Sequence, residues 1–187
     1  MDTIDRDLVG RAMAGDTECF GRLVERWQAR IYAFVRRYLG DSEEARDVTQ
    51  NTFTKAFLRL AQLQDPDRFN SWLHMIAVNE CRMRQRWGRV RPETSWEETG
   101  TVLESRMEER VTPLRALEAK ERLRCCELAF RRLPPEQQEV ILMKELQGLR
   151  LHEIAAILDV PLSTVKSRLY AGLKSLRRLM GEYSDEM

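Results

Sequence analysis

Apolar residues return every three or four positions along most of this chain, and nowhere do they alternate at every second position over a sustained run. That spacing keeps one face of a helix on a core and leaves no pattern from which to build a sheet. After Gly15-Asp16 the stripe runs Phe20, Leu23, Val24, Trp27, Ile31, Phe34, Val35 and Tyr38, and it stops at Gly40. The spacing predicts a helix of about six turns. A second helix is predicted from Asp41, with Glu44 three residues on in the manner of a capping box. It turns Ala45, Val48, Phe53, Phe57 and Leu60 inward and Asp47, Gln50, Asn51 and Thr54 outward. Asp65-Pro66-Asp67 interrupts the pattern, and a third helix is expected from about Phe69 through Trp72, Leu73, Ile76 and Ala77 to Trp87. Trp72 falls on the apolar stripe and is read as core.

From Glu93 to Glu109 the character changes to six acids, one base and one glycine with little apolar periodicity. Such a stretch buries too little surface to offset the entropy of ordering it, so it reads as a flexible acidic linker. Helical signal returns from Pro113 to Leu133, Pro134-Pro135 starts a further helix from Glu136 to about Leu146, and Gly148 closes it. Leu149 to Tyr183 reads as one compact helical unit. The expectation is therefore an all-α fold of two small helical domains, 1–92 and 113–187, joined by a flexible linker over 93–112.

Of the 187 residues, 31 are Lys or Arg and 30 are Asp or Glu, for a net charge of +1. That total hides an uneven distribution. Residues 1–92 carry sixteen bases and thirteen acids, 93–127 six and nine, and 128–187 nine and eight. Arg82, Arg84, Arg86, Arg89 and Arg91 lie within 81–92, and Lys166, Arg168, Lys174, Arg177 and Arg178 within 160–178, with no acid in either tract. Five phosphate contacts from one tract give a salt slope of about −4.5, or roughly 500-fold weaker binding between about 50 and 200 mM salt. One basic tract alone is an ordinary solvated helix face; two, on separate lobes, point to nucleic acid.

Other classes are excluded more simply. No uncharged apolar run approaches the ~18 residues needed to cross a bilayer, and the N-terminal segment has acids where a signal peptide has bases, so a cytoplasmic setting is expected. Cys19, Cys81, Cys125 and Cys126 show no CxxC spacing and lie far in sequence from His74 and His152, so no metal ligand set is expected. No Cys/His or Ser/His/Asp constellation and no phosphate-cradling glycine loop is present, so the chain reads as neither an enzyme nor a cofactor or small-molecule binder. His152 reads as a surface residue. The vicinal Cys125-Cys126 pair is either a packing face or a group that responds to oxidants.

The segment LHEIAAILDVPLSTVKSRLYAGLKSLRRL has helix-turn-helix spacing. Leu151, Ile154, Ala155 and Leu158 form one short apolar face, Asp159-Val160-Pro161 the turn, and Val165, Leu169, Leu173 and Leu176 the inner stripe of the second helix. Ser163, Thr164, Lys166, Ser167, Arg168, Tyr170 and Lys174 are placed away from that stripe. These are donors that reach base edges and phosphates when such a helix lies in the major groove.

Taken together, these stretches resemble the extracytoplasmic-function sigma factors of bacterial RNA polymerase. GDTECFGRLVERWQARIYAFVRRYLGDSEEARDVTQNTFTKAF looks like the start of the second conserved sigma domain, FNSWLHMIAVNECRMRQR like its promoter-melting helix, and RLPPEQQEVILMKELQGLRLHEIAAILDVPLSTVKSRL like the fourth domain. The resemblance implies a subunit that binds core polymerase at the β′ clamp and β flap and directs initiation in a stress or envelope response by reading −35 and −10 promoter elements. It implies clamp binding by Asp47, Gln50, Asn51 and Phe53, with Asn51 standing where relatives carry an acid. It implies −10 recognition and melting by Arg68, Phe69, Asn70, Asn79, Arg82 and Arg86, and −35 recognition by the outward residues from Ser163 to Lys174. Relatives often carry an arginine near Gly172. Their linkers run through the polymerase channel, where Glu97, Glu98, Glu104, Glu108 and Glu109 would mimic nucleic acid or simply serve as a tether. An anti-sigma factor is a further implied partner. The competing readings are a polymerase-independent helix-turn-helix regulator and a helical adaptor that binds only protein.

Overall fold

Asp16 starts and Gly40 stops the long helix of the first lobe. The Asp16 carboxylate accepts the Cys19 backbone N–H at 3.0 Å, and Gly40, at φ +83°, returns its N–H to the Arg36 carbonyl. A left-handed residue at that position costs glycine nothing. The next residue, Asp41, caps the following helix by accepting the Glu44 N–H at 2.8 Å. The reciprocal half of the expected capping box is diverted, because the Glu44 side chain accepts instead from Arg84 Nε at 3.0 Å.

The computed structural model describes residues 3–88 and 124–185, and all regular structure among them is helical. The first lobe holds α1 (Thr3–Met13), α2 (Thr17–Leu39), α3 (Ser42–Arg59) and α4 (Phe69–Gly88). Short 3-10 turns at Leu60–Gln62 and Pro66–Arg68 link α3 to α4. The α1 helix was not foreseen; it buries Leu8, Val9 and Ala12, and its buried Asp5 holds Arg26 of α2 at 2.6 Å. The core of this lobe gathers Leu23, Trp27, Ile31, Phe34 and Val35 of α2 against Phe69, Leu73, Ala77 and Val78 of α4. Trp72, placed in the core from its spacing, is partly buried and packs beside Phe69.

The second lobe begins with α5, residues 124–131, the described end of the helix expected over 113–133. The rest of that helix and the expected acidic linker lie outside the described residues. The helix expected from Glu136 to Leu146 divides: α6 (Pro135–Ile141) is α-helical, and Leu142–Leu146 widens into a π-helical turn that buries Leu142 and Met143. Next come α7 (Leu151–Leu158), a turn in which Asp159 adopts φ +54°, and α8 (Leu162–Asp185).

One stripe differs from its expectation. The inner face of α8 runs Val165, Leu169, Gly172, Leu176 and Leu179, whereas Leu173 is 37% exposed. The four-three step of the helix places Gly172, not its apolar neighbour, opposite α6. A β-carbon on Gly172 would lie 2.9 Å from Ile141 Cδ1 and 3.1 Å from Gln137 Cβ. Glycine is thus what lets α6 and α8 cross this closely. The two lobes also meet: α7 lies against α4, and the π-helical turn against α2.

Candidate nucleic-acid interface

The first turns of α8 present one polar face. Ser163, Lys166, Ser167, Tyr170 and Lys174 are exposed, Thr164 and Arg168 half-buried, while Val165 and Leu169 point the other way into the core. Two backbone bonds from Thr164 and Val165 to the Pro161 carbonyl (2.9 and 3.2 Å) fix how the helix leaves the turn. No carboxylate pairs with Lys166, Arg168 or Lys174 among the described residues. Their charge is therefore left uncompensated, as a phosphate-binding face requires. The Ser167 hydroxyl donates to the Thr164 carbonyl at 2.9 Å and still has lone pairs facing solvent.

On the first lobe, the residues expected around the promoter-melting helix separate into three groups. Arg68, Asn79 and Arg86 are exposed, with Arg68 3.7 Å from Asp65. Phe69 is fully buried and meets Trp27 edge-on at 5.8 Å, so as placed it cannot stack on a base. It anchors the start of α4 because the Pro66–Arg68 turn points it inward. Asn70 is half-buried, its backbone carbonyl accepting from His74 Nδ1 at 2.8 Å. Arg82 is half-buried and engaged, donating from Nε and Nη2 to Glu139 Oε1 and Oε2 of the second lobe at 3.0 and 2.9 Å. The expected −10 set is thus not one open surface.

Glu139 also accepts from the Tyr38 hydroxyl, so one buried carboxylate joins α2, α4 and α6. Burial and that carboxylate push the Tyr38 hydroxyl well above its ordinary range, while the hydrogen bonds to Glu139 hold Arg82 more firmly charged. Beside them Arg30 Nη2 donates to the Gln147 carbonyl at 3.2 Å. His74 Nε2 and both polar atoms of the Gln147 side chain are buried there without hydrogen bonds among the described residues. Burial lowers the pKa of His74 and keeps it neutral.

A third surface lies on α3. Asp47, Gln50 and Asn51 are exposed along it, but Phe53, expected with them, is only 7% exposed. It instead floors a groove of about 790 Å³ between α2 and α3, lined also by Phe20, Val24, Tyr32, Gln50 and Phe57. Phe57, expected in the core, is 48% exposed at the rim, its ring centroid 5.1 Å from that of Phe20. Sequence reasoning missed this groove. Its signal was the spacing of Phe53 and Phe57 with exposed Leu58 beyond the stripe, more apolar surface than one helix face can bury.

No group of metal-ligating side chains forms among the described residues, and none of their helices is long and apolar enough to cross a membrane. His152 is exposed, as its position in the sequence suggested. Cys81 is buried and its thiol pushed up by burial and by Glu139.

The family models "Sigma-70 region 2" and "Sigma-70, region 4" match residues 23–89 and 123–176. The ECF RNA polymerase sigma-E factor of Escherichia coli (strain K12) is 32% identical over 179 residues, spanning 92% of this chain and 92% of its own length. The ECF RNA polymerase sigma factor BldN of Streptomyces coelicolor is 31% identical over 175 residues, a match that takes in 93% of this chain and 65% of that longer protein. A solved structure of CnrH in complex with the cytosolic domain of CnrY aligns at 25% identity with a TM-score of 0.70, over 96% of this chain and 99% of that one.

Proposed function

Because the chain belongs to the extracytoplasmic-function group of RNA polymerase sigma factors, we propose a division of labour among the three surfaces just described. It is a promoter-specificity subunit that binds core RNA polymerase and directs transcription initiation, with promoter DNA and an anti-sigma factor as its other partners. Residues 1–92 bind the clamp and handle the −10 element; residues 113–187 read −35; 93–112 connect them. Asp47, Gln50 and Asn51 meet the β′ clamp, with Phe53 acting from the groove floor. Arg68, Asn79, Arg82 and Arg86 follow the opened strand, where cations track a single-stranded backbone. Phe69 and Asn70 act by seating that helix. Ser163, Thr164, Lys166, Ser167, Arg168, Tyr170 and Lys174 enter the major groove at −35.

The observation that carries this reading is the set of uncompensated cations on α8, Lys166, Arg168 and Lys174, displayed by a helix whose opposite side is locked to α6. The protein works in the cytoplasm and its role is binding, with no catalytic step of its own. The polymerase-independent regulator is not favoured, because it has no use for a first lobe matching sigma region 2 over residues 23–89. Run-off transcription with purified core polymerase on genomic promoter fragments tests the reading. A promoter-specific transcript that depends on this protein is the expected result. Tight duplex binding without core, and no specific transcript with it, would overturn it.

A further inference from the structure

We infer that Glu139 is an internal mimic of a nucleic-acid phosphate: in the free protein it occupies the donors of Arg82 and latches the two lobes together, so that the −10 surface is incomplete until Glu139 is displaced. The argument starts from the fork geometry. Arg82 presents Nε and Nη2 side by side, and Glu139 takes both at 3.0 and 2.9 Å. A phosphate would need the same two donors, since carboxylate and phosphate are alternative partners for one guanidinium fork. The residues lie 57 apart in sequence and on different lobes. The competition is therefore also a competition between a closed and an open arrangement of the chain.

Two further features make the contact a latch and not a permanent core. The Tyr38 hydroxyl donates to Glu139, which strengthens its hold on this one position. Across the same lobe contact the polar pairing is imperfect: His74 and the Gln147 side chain are close enough to act on one another, yet His74 Nε2 and the Gln147 amide form no hydrogen bond of good geometry among the described residues. Opening returns those groups to water. The lobes also share apolar surface, so the lock acts together with that packing, and loosening it shifts the balance between closed and open forms. The proposal rests on the assignment of Arg82 to the opened strand, and adds that this cation is gated.

The test uses the free full-length chain. Anisotropy of a fluorescein-labelled oligothymidine strand reports single-strand binding, and small-angle scattering reports the separation of the lobes. If the closed form is in about tenfold excess, removing the latch raises apparent affinity by up to about tenfold, because apparent affinity scales with the competent fraction. Glu139→Gln is expected to bind the strand more tightly and to increase the radius of gyration, and Arg82→Ala added to it to abolish the gain. Tyr38→Phe, which removes only a hydroxyl, gives the same direction with smaller size and carries the test should Glu139→Gln perturb folding of α6. Unchanged radius and affinity in both variants would overturn the latch. A larger radius without tighter binding would overturn the phosphate mimicry. Run-off transcription by the wild-type protein judges the sigma reading separately, since it is scored whether or not the latch exists.

Discussion

A β-carbon placed on Gly172 would come within 2.9 Å of Ile141 Cδ1, so α8 and α6 approach as closely as the missing methyl group allows. In an exposed helix, replacing glycine by alanine stabilises by up to ~1 kcal/mol. Here the replacement meets Ile141 Cδ1, and Gln137 Cβ, one turn away on α6 at 3.1 Å, resists the same displacement. Gly172→Ala is expected to lose that gain and destabilise the protein by about 1 kcal/mol, an overpacking cost. A rise in the denaturation midpoint would show that the helices part freely.

Asp47 is exposed on α3 with no ion pair among the described residues. Asp47→Arg is therefore expected to leave unfolding within about 0.5 kcal/mol of wild type. It should weaken core polymerase binding by at least about tenfold, as a charge reversal at a complementary interface does. Equal core affinity for variant and wild type would remove Asp47 from the clamp surface.

Arg168 is half-buried on α8 with its charge uncompensated. Arg168→Ala should retain core binding and lose about 1 to 3 kcal/mol of discrimination at one −35 position if its contact is bidentate to a base. The ratio of transcripts from promoters differing at single −35 bases measures this. A uniform loss across all −35 sequences would instead assign Arg168 to the phosphate backbone.

His74 gives the fold a pH dependence whose sign follows from its burial. Its pKa is lowered from the ordinary 6.5 by desolvation, opposed by its bond to the Asn70 carbonyl, and Gln147, Arg30 and Glu153 are the other groups acting on it. The unfolded chain thus binds the proton more readily. Stability is fully present above about 6.5 and is lost as pH falls below that value, by at most about 1.4 kcal/mol per pH unit. His74→Gln should flatten the slope of stability against pH below about 6.5. An unchanged slope would assign it to other groups.

Much of the helical plan was legible because its signals are local. Asp16, Gly40 and Asp41 mark helix ends by cap chemistry that depends on a few neighbouring residues, and all three act as caps. What was not legible depends on three dimensions. The stripe on α8 read as passing through Leu173 because glycine carries no hydrophobic signal, yet Gly172 faces the core. Phe53 was read two ways: the apolar spacing of α3 turned it inward, as the structure has it, whereas the family motif set it and Phe69 among contact residues, since motif spacing does not report which way a side chain leaves its helix. The Arg82–Glu139 pair was hidden for a different reason: nothing local in an arginine-rich helix says that a carboxylate from another lobe will reach it.

Gly40 and Asp41 form a corner with no residue to spare, one closing α2 and the other opening α3. The corner acts as a set square. It sets the opening of the groove and the aim of Asp47, Gln50 and Asn51 relative to the α2 core, and Phe20 against Phe57 closes the same angle at the far ends of both helices. A residue inserted just inside α3 would turn everything beyond it by about 100°. The surface would keep every side chain it has now and present them to the wrong quarter of space. For the clamp contact proposed above, angular register on α3 matters as much as side-chain identity.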